Sequence, residues 1–287
     1  MLGISTNTIL SSIVYQRSDL SSMIKTRAIV LHRYAYSDSS WIVKALTEEV
    51  GIVSFIVKGG KRKESPFKGA LDPLALSEVV FRQNPNAELQ FIKEATLIEW
   101  RKNLREDLLA LAKAQVMAEI LLRYAPQGVP LQSEFMLLEQ ATRELDQTGT
   151  NALHDNQGIY YASTDLPQAQ IPKSNIFARW LLDTCDAWGY SLDLATCSRC
   201  GKILDAPPAD FIPETGAVIC KNCIGSGMAH MREETSLGIW NLLTNNKITH
   251  SQYVENALLS YLRKHIGFLK EIKSLQFLNE TRKLFSN

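Results

Sequence analysis

The chain has 287 residues, 45% of them apolar, and a formal net charge of +1, which leaves room for two domains or one domain with a substantial insertion. So neutral a balance excludes nucleic-acid binding by overall charge alone, and local charge must be examined instead. No apolar run approaches the ~18 residues of a membrane span, and the patch Ile9 to Val14 precedes the first basic residue, Arg17, the reverse of a signal peptide; the reading is a cytosolic protein with reduced thiols.

Residues 1–22 are rich in Ser and Thr and are expected to be a disordered extension, and Met23-Ile24-Lys25-Thr26 looks like a natural beginning. From Ile24 to Glu99 the pattern is β. Thr26 to Tyr34 reads as a first strand, with Ala28, Val30 and His32 alternating against Ile29, Leu31 and Arg33. Trp41 to Thr47 and Ile52 to Lys58 follow, separated by Val50-Gly51. Leu74 to Phe81 and Leu89 to Ile98 complete the set, with Pro85 and Asn86 marking the hairpin between them. Five strands with no long helical run among them predict a small barrel over 23–103. An OB-fold fits this count; an SH3-like barrel fits it almost as well.

Between the third and fourth strands, Lys58 to Lys68 holds Lys58, Lys61, Arg62, Lys63 and Lys68 against one acid, Glu64. Gly59, Gly60, Pro66 and Gly69 predict a mobile loop. Such a loop can follow a phosphate backbone, releasing counterions as each cation finds a phosphate. It lacks the GxxxxGK[ST] spacing of a nucleotide-binding loop. Arg33 and Tyr36 join it as candidate nucleic-acid contacts, and Tyr34, Trp41 and Phe67 offer further faces for base stacking. Each aromatic also fits plain core packing, and a solvated loop is the other reading of the charge.

From Leu104 the period becomes helical, through Leu108, Leu111, Val116, Ile120 and Leu121 to a stop at Pro126 and Gly128. A second helix is expected over about Leu131 to Leu145, then a polar stretch from Thr148 to Ser174, then a helix to Trp188 closed by Gly189. Beyond Cys223 the pattern is helical again, over Glu233 to Leu243 and Ser251 to Ile266, and the basic, apolar stretch Gly267 to Asn287 ends the chain.

Cys197, Cys200, Cys220 and Cys223 form two CxxC pairs with nineteen residues between them. A two-residue gap lets the chain turn so that both sulfurs face one centre, and two such turns give four thiolates in the tetrahedral set that suits Zn²⁺. Gly201 follows the first turn, and three prolines and Thr215-Gly216-Ala217 in the insert predict a zinc ribbon. Disulfides need an oxidising compartment, and a redox pair would need only one CxxC opening a helix; an iron–sulfur cluster is the remaining rival. Four thiolates leave no site for water, so one structural zinc is expected. His230 reads as a surface residue and Cys185 as a buried small one. The whole is α+β and multidomain: a barrel, then an all-α domain over 104–287 with the four-cysteine zinc ribbon at 197–223 inserted between helices. No paired-carboxylate motif, nucleophile elbow or HExxH is present, so the expected work is binding.

Together these features resemble the RecO family of bacterial DNA repair and recombination mediators. The likeness runs over about residues 23 to 280. It rests on Thr26-Arg-Ala-Ile-Val-Leu31, the polar turn Tyr36 to Ser40, the Thr-x-x-x-Gly step Thr47 to Gly51, Lys58-Gly59 with its basic loop, Leu71-Asp-Pro73 and the CxxCG…CxxC. At the C-terminal end Tyr261-Leu262, His265-Ile-Gly267, Lys273-Ser274 and Phe277-Leu278 continue it. Many members carry a glutamate in the first turn, where this chain has Ser37 before Asp38. The resemblance implies an N-terminal OB-fold that binds single- and double-stranded DNA and anneals strands, in the cytoplasm at the nucleoid. It implies a complex with RecR, loading of RecA, and docking of the acidic C-terminal tail of single-strand-binding protein. Arg263, Lys264, Lys270 and Lys273 are the expected dock for that tail. Two other classes fit the same residues: an RNA-binding barrel with a zinc ribbon, and an adaptor whose zinc-stapled helices hold other proteins.

Overall fold

The computed structural model describes residues 23–147, 173–225, 233–244, 251–267 and 272–285. The expectations for residues 1–22, for most of Thr148 to Ser174, for His230 and for Lys270 lie outside the described residues. The chain divides into two compact units after Trp100.

The first unit is built from β1 (Met23–Ala35), β2 (Trp41–Thr47), β3 (Gly51–Val57), β4 (Leu76–Arg82) and β5 (Gln90–Glu99). Hydrogen-bonded neighbours run β1-β2-β3-β5-β4 around a closed barrel. β3 meets β5 in parallel, through Phe55 opposite Gln90 and Ile56 opposite Phe91. A plain meander would set β4 beside β3, so this crossover decides for the OB-type topology. The long β1 serves two neighbours: Met23 to Ile29 pair with β4, and Ala28 to Ala35 with β2. A register shift between Val30 and His32 bends the strand at that handover. The bend breaks the alternation expected for β1: Ala28 and Val30 face the interior, Ile29 and Leu31 are buried as well, and His32 is exposed. Inside, Val43, Ala45, Val53, Phe55, Val57, Leu71, Val79 and Phe81 complete the core, with the Phe55 and Phe81 rings edge-on at 5.0 Å.

The Thr47 to Gly51 step has a structural reason. The Thr47 hydroxyl donates to the Gly51 carbonyl at 2.8 Å and accepts from the Val50 amide at 3.2 Å, closing the β2–β3 turn from within. Arg27 clamps the same turn, donating from Nε and Nη2 to the two Glu48 oxygens at 2.8 and 2.7 Å, and its hydrogen bonds hold the Glu48 carboxyl below the usual range.

The second unit is helical: α1 (Lys102–Glu106), α2 (Leu108–Tyr124), α3 (Gln132–Asp146), α4 (Lys173–Ala187), α5 (Glu233–Thr244), α6 (Ser251–Ile266) and α7 (Lys273–Leu284). The single helix expected from Leu104 is two, because Asp107 leaves helical geometry and caps α2, its Oδ1 accepting from the Ala110 amide at 3.0 Å. α2 buries Ala110, Ala112, Ala114, Val116, Met117, Ala118, Ile120 and Leu121, nearly all round. Its small side chains let α1, α3, α4 and α7 pack on it. α4 and α5, on either side of the ribbon in sequence, both pack on α6.

Two acids join helices across this unit. Glu255 of α6 is 1% exposed; its Oε1 lies 2.8 Å from Lys113 Nζ on α2, and its Oε2 accepts from Arg282 of α7. Glu119 of α2 accepts the first amides of α7, Lys273 N–H at 3.2 Å and Ser274 N–H at 2.8 Å. Burial opposes ionisation of Glu119, but those amides and Arg123 outweigh it, so its carboxyl sits below the usual range. The unfolded carboxyl binds its proton first on acidification, at about pH 4.3. The capping stability is therefore fully present above that pH and is lost as pH falls through the lower folded value. Glu119→Gln should cost about 1–2 kcal/mol at pH 7, and much less near pH 3, in paired urea titrations. An equal cost at both pH values would show that the charge is idle.

Candidate nucleic-acid interface and metal centre

Strand register assembles the outer face of the barrel. Tyr34 lies opposite Ile42, Ile42 opposite Ile56, and Ile56 opposite Phe91, so these four share one row on one side of β1, β2, β3 and β5. The adjoining row is His32, Lys44 and Ser54. Tyr36, beyond the end of β1, and Phe91 are 57% and 56% exposed, which leaves ring surface open for stacking. Beside this row a groove of about 470 Å³ is lined by Tyr36, Ser37, Ser39, Ile56, Lys58 and Arg62.

The basic loop makes one wall of that groove and is a run of closed turns. Amides of Gly60, Arg62, Ser65 and Lys68 donate to the carbonyls of Val57, Gly59, Arg62 and Ser65. Gly60 passes so close to the barrel that a Cβ would lie 2.6 Å from Trp41 Cδ1. Lys61 ties the loop to the β1–β2 connection, its amide donating to the Ser39 carbonyl at 3.0 Å and its ammonium to the Ser37 carbonyl.

The candidate cations thus divide. Lys58 and Arg62 line the groove, with Lys58 Nζ 5.1 Å from the centre of the Phe91 ring. Lys63 and Lys68 are exposed on the loop but do not line the groove. Lys61 sits 5.1 Å over Trp41. Arg33 covers the same tryptophan at 4.6 Å and pairs with Asp72 at 2.6 Å, so its charge is met inside the unit. Trp41 and Phe67 pack against the core. Phe91 escaped the sequence reading, because the face it takes is fixed by a parallel pairing distant in sequence.

In the second unit Arg263 and Lys264 are exposed in the last turn of α6, and Lys273 is exposed at the start of α7. At the other end of α7, Leu284 and Phe285 are 69% and 66% exposed.

The four cysteines of the predicted ribbon meet. Each pair sits on a tight turn, with the Gly201 amide donating to the Cys197 carbonyl at 2.9 Å and the Cys223 amide to the Cys220 carbonyl at 3.0 Å. β6 (Asp210–Ile212) and β7 (Ala217–Ile219) form the hairpin between the turns. Gly216 at its turn presses on α6: a Cβ there would lie 2.5 Å from Leu192 and 2.6 Å from Tyr261. The Sγ atoms all lie within 4.8 Å of one another, and Cys200 and Cys220 are 3.8 Å apart. A disulfide needs about 2.05 Å, whereas Zn–S bonds of about 2.3 Å at tetrahedral angles place sulfurs ~3.8 Å apart. Backbone amides, that of Cys220 first, lower the Cys197 thiol to about 6, and hydrogen bonds from neighbouring thiols, Cys200 first, push that of Cys223 up to about 12. As thiolates, four sulfurs this close would need a balancing cation, and their spacing fits a bound metal ion.

A five-stranded OB-type barrel with a cationic, aromatic face, joined to a helical unit bearing a four-cysteine centre, defines a class of multidomain OB-fold proteins. Residues 21–101 match the family model described as "Recombination protein O N terminal". The chain is 30% identical over 212 residues to the DNA repair protein RecO of Cutibacterium acnes, covering 74% of this chain and 78% of that one. It is 27% identical to the DNA repair protein RecO of Syntrophobacter fumaroxidans over 89% of this chain and 97% of that one. With the DNA repair protein RecO of Thermoanaerobacter sp. the identity is 23%, over 91% of this chain and 99% of the relative. The chain belongs to the RecO family.

Proposed function

We propose that this chain is a DNA repair and recombination mediator that works by binding, without catalysis, in the cytoplasm. The observation that carries the reading is the outer barrel row Tyr34, Ile42, Ile56 and Phe91, flanked by Tyr36, Lys58 and Arg62. This is the strand 2–3 side on which OB-folds take oligonucleotides. Phosphates meet Lys58, Arg62, Lys63 and Lys68, while unpaired bases stack on Tyr36 and Phe91. Duplex DNA uses the cations alone. Holding two strands on one neutralising surface promotes their annealing. Lys61 and Arg33 keep the loop and Trp41 in place.

With RecR, such a protein helps load RecA onto strands covered by single-strand-binding protein. The acidic tail of that protein docks on Arg263, Lys264, Lys270 and Lys273. One structural zinc at Cys197, Cys200, Cys220 and Cys223 shapes the ribbon. The support for these partners is family membership, together with the exposed cations of α6 and α7.

Replacing Lys58, Arg62, Lys63 and Lys68 together with alanine should reduce the log–log salt slope of single-strand binding by about 3, at ~0.7 per phosphate. Phe91→Ala and Tyr36→Ala should each weaken binding by roughly tenfold, about 1–3 kcal/mol per stacked base, with little change in slope. Fluorescence anisotropy across a salt series reads both. If slope and affinity survive all of these changes, the barrel face is not the site.

A further inference from the structure

The cysteine-bearing end of the ribbon is a second surface with an unassigned use. Ile203 is 82% exposed, the most exposed large apolar side chain among the described residues. It stands on fixed backbone: Thr196 and Ile203 form a β-bridge, the Cys197 amide donates to the Lys202 carbonyl at 2.8 Å, and the Leu204 amide to the Ala195 carbonyl at 2.7 Å. The charged residues of the two cysteine turns are all cations, Arg199 and Lys202 in the first and Lys221 in the second, all exposed. Arg199 also links the turns, donating from Nη1 to the Cys223 carbonyl at 2.9 Å. The acids nearest in sequence, Asp193 and Asp205, flank the root of the hairpin beyond the Ala195–Leu204 pair. A divalent metal on four thiolates leaves two negative charges, which the three cations outnumber.

We propose that this tip is a second nucleic-acid contact, separate from the barrel face, in which Arg199, Lys202 and Lys221 meet phosphates and Ile203 lies against the bases. An exposed aliphatic side chain on a cationic hairpin is the arrangement by which apolar wedges enter a base step while basic residues hold the backbone, and small zinc-held turns serve as single-strand readers. A stable protein interface needs about 800 Å² on each partner, whereas the tip is four side chains, Arg199, Lys202, Ile203 and Lys221. A strand needs only a few phosphates and one base step. The inference goes beyond the barrel reading and stands or falls apart from it.

The test uses full-length protein with its metal content measured in every sample. In Arg199→Ala/Lys202→Ala/Lys221→Ala the single-strand salt slope should drop by up to about 2, while Ile203→Ser should weaken binding severalfold at unchanged slope. Energy transfer between two labelled, non-complementary strands separates the sources: loss of bridging assigns the tip to a second strand, and loss of affinity for one long strand assigns it to the strand held by the barrel. Either loss supports the proposal. If the triple variant loses metal, Lys202→Gln/Lys221→Gln keeps the Arg199 bond and replaces it. Metal-replete variants that bind and bridge as the parent does overturn the proposal. So does the same result with lost binding to an acidic peptide, which would give the surface to a protein. Failure of the barrel reading would appear instead in the barrel variants, with the slope carried by the tip intact.

Discussion

Removing the metal should collapse the ribbon and loosen the helix beneath it. The hairpin has three residue pairs between β6 and β7, and its buried apolar side chains reduce to Phe211, Val218, Ile219 and a few neighbours. A segment this small has too little core to hold itself, and below about 40 residues such pieces need a metal or disulfides. Metal binding is then folding free energy, about 10–16 kcal/mol for structural zinc in small fingers near neutral pH. The effect should travel, because Gly216 packs on Tyr261, a 4% exposed residue of α6 whose hydroxyl donates to the Tyr190 carbonyl at 3.1 Å. Purified protein is expected to carry about one zinc per chain. A strong chelator, or Cys220→Ser, should open residues 195–225 to protease and lower the melting temperature of the helical unit. A metal-free chain that melts as before, with its ribbon still protected, would refute this account.

The parts most legible in the sequence were those set by local chemistry. CxxC spacing is a property of a few consecutive residues, and the four cysteines meet where the turns predict. Strand and helix periods likewise depend on near neighbours, so five strands and the main helices appear close to their expected positions. The misses arise where distant segments decide. The apolar pattern runs unbroken from Leu104 to Leu121, and only the capping geometry of Asp107 shows that it is two helices. The glycines of the basic loop suggest turns, but only the fold shows that Gly60 is there because Trp41 leaves no room for a side chain.

Charge was the hardest property to read. Counting along the loop treats Lys61, Arg62 and Lys63 as equals, whereas Lys61 is directed at Ser37 and Trp41 while Arg62 lines the groove. Arg33, a candidate phosphate contact by sequence, is paired with Asp72, which no local pattern announces. Phe91 follows the buried Gln90 and gives no sign in sequence of standing outward next to Ile56. Glu119 and Glu255 did leave a trace that went unread: each is an acid within an apolar helical stretch, where a charge needs a partner.

Glu255→Ala should destabilise the helical unit by about 3–5 kcal/mol, the cost of breaking a buried ion pair from one side. Domains are stable by roughly 5–15 kcal/mol, so this one change would remove a large share. The reason is the state it leaves behind. Lys113 and Arg282 are 5% and 8% exposed, and without Glu255 two cations would face each other in the interior. Asn256 and Asn279 accept from Arg282 at 3.3 and 3.4 Å, which gives partial relief to the arginine and none to its charge. Glu255→Gln keeps the shape and one hydrogen-bonding oxygen, so its cost should fall between those of the parent and the alanine variant. Replacing all three residues, as Lys113→Met/Glu255→Leu/Arg282→Leu, should be close to neutral, since well-packed apolar groups often match a buried charge cluster in stability. Urea unfolding followed by circular dichroism compares the series. The ordering alanine worst, glutamine intermediate, triple variant near the parent follows only if uncompensated charge is the cause. A triple variant as unstable as Glu255→Ala would mean that the cluster contributes packing which apolar side chains cannot replace, and the electrostatic account would fall.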